Sequence, residues 1–418
     1  MNATRTSEAP GAWALLNAHL IDGDPGGYTG HGGVLISDGR IVASGPDIKL
    51  ESIGDVPFLD VRHRSVLPGL IDCHAHLTWN AGASPVATFV SERESPVTLA
   101  LRAAANARVA LQRGTTTVRD LGGPDEVLFP LRDAIANGVT TGPRIVASGY
   151  VITTPTGHCH FMGRPASDPP SARDAALKQL AAGADVVKVM TSGGLHTPGT
   201  DPTSPQFASR ALKEVVEVVH AAGRRVTGHA TCDAAIASAV EAGFDSIQHG
   251  TSLEPATARA LANAEVVLTP TLDTRYFLDR HIDDPAIPEV LRARARISAA
   301  GRPEAFRAAL EAGVTVAAGT DSGTTFVPHG SLATEIRLLH EAGLPIRQAL
   351  AAATWVAARE VGLPGRIGTL APGAYADLVV LQANPLEDVS ALEDVALVIA
   401  SGIEVVGPFG PGFSRLAP

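Results

Sequence analysis

The sequence predicts an α/β fold: a (β/α)8 TIM barrel with a small β-sandwich domain formed from both termini. Three observations carry this expectation. Between Arg64 and about Val361, eight short apolar runs alternate with Ala-rich helical stretches. Such alternation builds a parallel sheet or barrel, and eight units suit a fold that typically takes about 250 residues before insertions. The helical stretches stop at Gly, as in ALKEVVEVVHAAG and DAAIASAVEAG, where a left-handed residue ends a helix. The short β-like texture of the first part of the chain returns at its end. A doubly wound open sheet is the alternative reading.

In chain order, residues 1–62 read as the N-terminal part of the β-sandwich domain. There GGVLISDGRIVASG places two alternating segments around Asp38-Gly39, a strong hairpin signal. Residues 63–361 read as the barrel, with strands expected at 66–77, 115–121, 144–152, 186–192, 226–231, 246–251, 266–272 and 315–322. Residues 362–418, with GRIGTLAPGAYADLVVL and VALVIASGIEVVG, read as the C-terminal part of the sandwich.

Composition narrows the function. The chain has 418 residues, 45% hydrophobic and 18% charged, enough for a large core. A formal net charge of −10 without any Lys/Arg-rich run argues against nucleic acid and an anionic membrane surface. Cys73, Cys159 and Cys232 are far apart and form no C-x-x-C, so free thiols in a reducing compartment are expected. MNATRTSEAPGAWALL lacks a long apolar stretch, and no 18-residue apolar run occurs. The expectation is a soluble, cytoplasmic homo-oligomer acting on a small-molecule substrate.

The polar residues are unusual. LPGLIDCHAHLTWN carries His74 and His76 two positions apart, on one side of a strand. Two imidazoles at one strand end make half of a metal site or a hydrogen-bonded pair. Lys188 lies in the fourth expected strand, His229 ends the fifth, His249 the sixth and Asp321 the eighth. A strand histidine can be a satisfied structural residue, Asp321 a helix N-cap, and Lys188 a snorkelling amine. Together they fall at the C-terminal end of the barrel, where chemistry gathers. A buried Lys188 would lose proton affinity and become a neutral nucleophile able to add carbon dioxide. The resulting carbamate is a carboxylate long enough to bridge two metals.

These motifs resemble the amidohydrolase superfamily, in the branch of binuclear zinc enzymes with Xaa-Pro and Xaa-Arg dipeptidases and imidazolonepropionase-like hydrolases. The resemblance spans GRIVASG, LPGLIDCHAHL and GTLAPGAYADLVVL. It implies two divalent metal ions, zinc, with His74 and His76 on one and His229 and His249 on the other. It further implies a carboxylated Lys188 bridging them, and an Asp321 that contacts metal and shuttles a proton. TPTGHCHFMG resembles a loop in which a histidine at the position of His160 reaches toward substrate; the family often has Gly where this chain has Cys159.

The expected function is hydrolysis of a peptide-like amide, in a dipeptide or N-acyl amino acid, by metal-activated hydroxide. Asp321 and His160 are the expected catalytic residues. His196, Arg275 and Tyr276, with His160, are expected to bind substrate; a surface ion pair is the alternative for Arg275. Hydrolysis of a cyclic amide, lactone or other ester is the alternative within the family. A catalytically inactive ligand-binding barrel is the alternative outside it. No G-x-G-x-x-G follows the first barrel strand, which disfavours a dehydrogenase.

Overall fold

The computed structural model describes residues 11–85, 94–299 and 301–407. Residues 1–10 and 408–418, expected in the terminal domain, lie outside them. The chain begins with β1 (Trp13–Ile21), β2 (Thr29–Ser37), β3 (Arg40–Gly45), β4 (Phe58–Asp60) and β5 (Ser65–Pro68). The barrel region follows with β6 (Leu70–Ala75), β7 (Thr115–Asp120), β8 (Arg144–Ala147), β9 (Val151–Thr153), β10 (Gly163–Pro165), β11 (Val186–Met190), β12 (Arg225–Ala230), β13 (Ser246–His249) and β14 (Val267–Thr269). The chain returns with β15 (Leu378–Leu381), β16 (Val395–Ala400) and β17 (Ile403–Val406).

Both chain ends share one sheet, in the order β17-β16-β15-β5-β1-β2-β3, with β4 on β1. The β2–β3 turn has Asp38 at φ 51° and Gly39 at φ 72°, the two positive values a two-residue type I′ hairpin requires. On β15, Leu378 and Val380 face the sandwich interior while Val379 and Leu381 pack toward the barrel helices. Its unbroken apolar run follows from burial on both faces. The run expected as one strand at 66–77 is two. β5 joins the terminal sheet and β6 starts the barrel, so the sheet takes in residues 65–68, past the boundary expected at 62. Gly69 makes the crossing: a Cβ there would lie 2.1 Å from Thr116 Oγ1.

Parallel ladders join β6-β7-β8 and β9-β11-β12-β13-β14. The third barrel strand, expected as 144–152, breaks at Gly149, where φ is 64°. Backbone bonds from Ser148 N to Asp120 O and from Asp185 N to Ala147 O, both 2.9 Å, keep its first half in register. Residues 315–322 form the eighth strand only as isolated bridges, to Leu268 on one side and Ala75 on the other. Closure comes from Ala317 N to Leu268 O (2.9 Å), Cys73 N to Ala318 O (3.0 Å) and Asp321 N to His74 O (2.7 Å).

The outer helices bury one stripe each. Helix Ser209–Ala221 puts Leu212, Val215, Val216 and Val219 inward, spaced as one helical face. Helix Asp233–Ala242 ends at Gly243, φ 91°.

Inside the barrel, away from the strand ends that carry the histidines, Arg119 pairs with Glu360 at 2.5 Å, both fully buried. Arg119 Nε also donates to Cys73 O at 2.7 Å. Removing one partner of such a pair strands a charge in a dry interior. Glu360→Gln should lower unfolding free energy by about 3 kcal/mol. The double change Arg119→Met with Glu360→Leu should recover most of it, read by denaturant titration. A single variant as stable as wild type would show that the pair is not charged.

Candidate metal centre

The chemistry-bearing side chains lie on the barrel strands or just past their ends. His74 lies on β6 with His76 just beyond it, Lys188 on β11, His229 on β12 and His249 at the end of β13. Asp321 sits on the irregular eighth strand. Its Oδ1 is 3.3 Å from His74 Nε2 and 3.1 Å from His76 Nε2. Single ligand atoms of His74, His249 and Asp321 all lie within 4.8 Å of one another, and all three residues are buried. The rings of His74 and His249 are 5.1 Å apart, and those of His229 and His249 are 4.6 Å apart.

Hydrogen bonds aim the rings. His76 donates Nδ1–H to Gly122 O (3.1 Å), which turns Nε2 toward Asp321. His229 donates Nε2–H to Gly193 O (3.2 Å), leaving Nδ1 free. His249 Nδ1 is held at 2.9 Å from Thr271 Oγ1. Asp72 accepts from His74 N (3.1 Å) and from Thr320 N (3.0 Å) and Oγ1 (2.7 Å), which ties the first strand to the eighth. Asp120 accepts from Leu77 N (2.7 Å) and Gly122 N (3.1 Å). Burial raises both carboxyls to about 6. His249 (φ 74°) and Asp321 (φ 57°) are both in left-handed backbone, a conformation costly for non-Gly residues and concentrated at functional sites.

Charge in the cluster is set by burial. Desolvation holds His74, His229 and His249 well below their ordinary values, so these imidazoles are neutral lone-pair donors. His76 is also desolvated, but its bond to the Asp321 carboxylate raises it overall. Lys188 is 1% exposed, its Nζ has no hydrogen-bond partner among the described residues, and burial pulls it down to about 7.

The six expected ligands, His74, His76, Lys188, His229, His249 and Asp321, line one cavity of about 230 Å³. His196 and Arg275 line it too. Arg275 spends its guanidinium within the protein: Nε donates to Asp279 Oδ2 (2.6 Å) and Nη1 to Ala295 O (2.7 Å). Tyr276 is not in the lining. Its hydroxyl accepts from Arg280 Nη1 (2.9 Å), and its ring lies under Arg280 and Arg337.

His160 is not in the lining either. It is exposed, donates Nδ1–H to Gly157 O (3.0 Å), and faces a neighbouring apolar cavity of about 260 Å³. His158 takes the inner position, buried against His229 with rings 4.4 Å apart. Cys159, at φ 55°, turns the chain between them. It adopts the left-handed conformation that a glycine there would take freely. Trp79, stacked on His76 at 4.7 Å, and Arg302 complete the functional wall. Arg302 opens what reads as an ordinary Ala-rich helix, so no local signal marks it. The three cysteines are free and buried. Among the described residues, no helix is long and apolar enough to cross a membrane.

Known proteins share this fold. The family model described as the amidohydrolase family matches residues 65–405. The ochratoxinase of Aspergillus niger is 28% identical over 361 residues, covering 79% of this chain and 72% of the relative. A crystal structure of a Xaa-Pro dipeptidase with bound methionine in its active site superposes with a TM-score of 0.87 at 29% identity, covering 95% of this chain and all of the other. A prolidase complexed with N-methylphosphonate-L-proline superposes with a TM-score of 0.85 at 30% identity, covering 94% of this chain and 99% of the other.

His329 supports the wall from behind, with Nε2–H on Trp79 O at 3.2 Å. Burial pulls its pKa down to about 4. As pH falls from about 6.5, the unfolded chain takes up a proton that the folded chain refuses until about pH 4, so stability drops across that window. His329→Gln stays uncharged throughout. It should therefore lose about 3 kcal/mol less than wild type between pH 7 and pH 4. Equal losses in paired denaturant titrations would show that His329 is charged in the folded protein.

Proposed function

We propose, from the premise that the chain belongs to the amidohydrolase family, that it hydrolyses the amide bond of a dipeptide or N-acyl amino acid at a site holding two divalent cations, zinc. The observation that carries this reading is the convergence of His74, His249 and Asp321 beside a buried Lys188 amine that has no hydrogen-bond partner among the described residues. Nitrogen and oxygen donors without thiolate suit a catalytic rather than a structural zinc site. The donor set fits: neutral imidazoles from His74, His229 and His249, the imidazole of His76 beside Asp321, and the carboxylate of Asp321. Two such cations acidify water and polarise a carbonyl.

This chain's residues do the rest. Neutral Lys188 Nζ would add to the carbon of carbon dioxide: an N–C bond forms, a C=O π pair becomes a carboxylate lone pair, and one of the two amine N–H protons is released. The product replaces a partnerless amine by an anion among cations. Asp321 takes the proton of the attacking water and returns it to the leaving amine. His158 donates to the scissile carbonyl oxygen. Thr197 Oγ1 accepts from Cys159 N (3.0 Å) and lies 3.0 Å from His158 Nδ1; in the tautomer where Nδ1 accepts the Thr197 proton, Nε2, 3.6 Å from Cys159 Sγ, carries the donor hydrogen. The substrate class draws on relatives described as a Xaa-Pro dipeptidase, a prolidase and an ochratoxinase.

A panel of dipeptides and N-acyl amino acids with the zinc-loaded enzyme tests the reading, and no turnover across both sets would sink it. Lys188→Ala should lose activity and at least one metal by elemental analysis, and a small carboxylic acid in the buffer should restore part of both. Full metal content in that variant would remove Lys188 from the centre.

His158→Ala should lower kcat/KM by roughly 10²-fold or more with metal retained. His160→Ala should change it only a few-fold. The reverse ranking would mean that the outer histidine reaches the substrate.

A further inference from the structure

Arg302 begins helix Arg302–Glu311 and lines the same cavity as the histidine cluster. Its guanidinium is poorly served by the protein. Nη1 donates to Thr274 Oγ1 at 3.2 Å, and Nε is buried without a partner. No carboxylate among the described residues forms an ion pair with it.

Glu335, Asp321 and Asp273 lie near enough to favour its charge, but among the described residues none of them bonds to the guanidinium. Asp273 and Glu335 are buried together, with Glu335 Oε2 accepting from Asp273 N (2.8 Å) and Asp273 Oδ2 from Ser331 Oγ (2.8 Å). Burial, and for Asp273 repulsion from Glu335, pushes both above the ordinary carboxylate range. Arg275, on the same wall, is already bound to Asp279 and Ala295 O. A half-buried guanidinium that lines a cavity, with its Nε partnerless and no ion pair among the described residues, can take an anion from outside. The planar fork of arginine favours a carboxylate held through two N–H groups.

We infer that Arg302 anchors a free carboxylate of the substrate, selecting carboxylate-bearing amides over neutral amides and rings. This rests on the amide-hydrolysis reading for its reaction, but not for its binding.

The test pairs N-acetyl-L-methionine with N-acetyl-L-methioninamide as substrates, and L-methionine with L-methioninamide as ligands in calorimetry, on the metal-loaded full chain. Wild type should prefer each carboxylate by roughly 10–100-fold, seen mainly in KM and in Kd. Arg302→Gln should close that gap. Arg302→Lys, which keeps charge but not the fork, should close it partway. Melting temperature and metal content report whether each variant is folded and loaded.

Carboxylate preference in binding without turnover of either substrate would support Arg302 while sinking the amide reading. No carboxylate preference in wild type, or a preference that survives in Arg302→Gln, overturns the inference.

Discussion

The seam between the first and eighth barrel strands is the constraint on which the site depends. Asp321 N bonds to His74 O at 2.7 Å and His76 N to Ser322 O at 2.9 Å, so barrel closure and ligand assembly are one event. The seam is tight: a Cβ on Gly319 would come within 2.9 Å of His74 N. Asp72 spans it from below, accepting from both His74 and Thr320. The positive φ at Asp321 is then over-determined by the surrounding bonds, and a strained residue persists only under that condition. Any change that loosens the seam should disturb the Asp321 carboxylate before it disturbs the outer helices.

Burial does the electrostatic work at this seam. A desolvated imidazole gives up its proton, and a desolvated amine approaches neutrality. Three of the four histidines and Lys188 are shifted in that direction. The result is a cluster of lone pairs with one carboxylate at its centre, an arrangement that is poorly satisfied by protons and well satisfied by cations. Folding therefore builds an unmet demand into the core, and ligation would return that cost as stability.

Much of this was legible because strand periodicity is strict. LIDCHAHL put two imidazoles on one side, and the βα alternation put Lys188, His229, His249 and Asp321 at the same barrel end. The failures share a physical cause, which is backbone that leaves the regular regions. The third strand breaks at Gly149, and the eighth never becomes a ladder because small residues at 317–319 let it press against the first strand. In the loop GHCH the two histidines look equivalent, yet Cys159 in left-handed backbone sends one inward and one to the surface. Arg302 and the Asp273–Glu335 pair meet only through long-range packing, which no local pattern encodes.

One buried and one half-buried arginine show how differently one fold can use the same group. Arg119 is enclosed, with Glu360 at 2.5 Å and a carbonyl on its Nε. Its charge is answered within the chain, and it reads as part of the scaffold. Arg302 is half-buried and faces a cavity, and among the described residues no acid near it closes an ion pair with it. The distinction is not how deeply a charge is buried but whether the protein closes the electrostatic account around it. Where it does, the group supports the fold. Where it does not, the missing partner is expected from outside, and the same argument that assigns cations to the partnerless Lys188 and its histidines assigns an anion to Arg302.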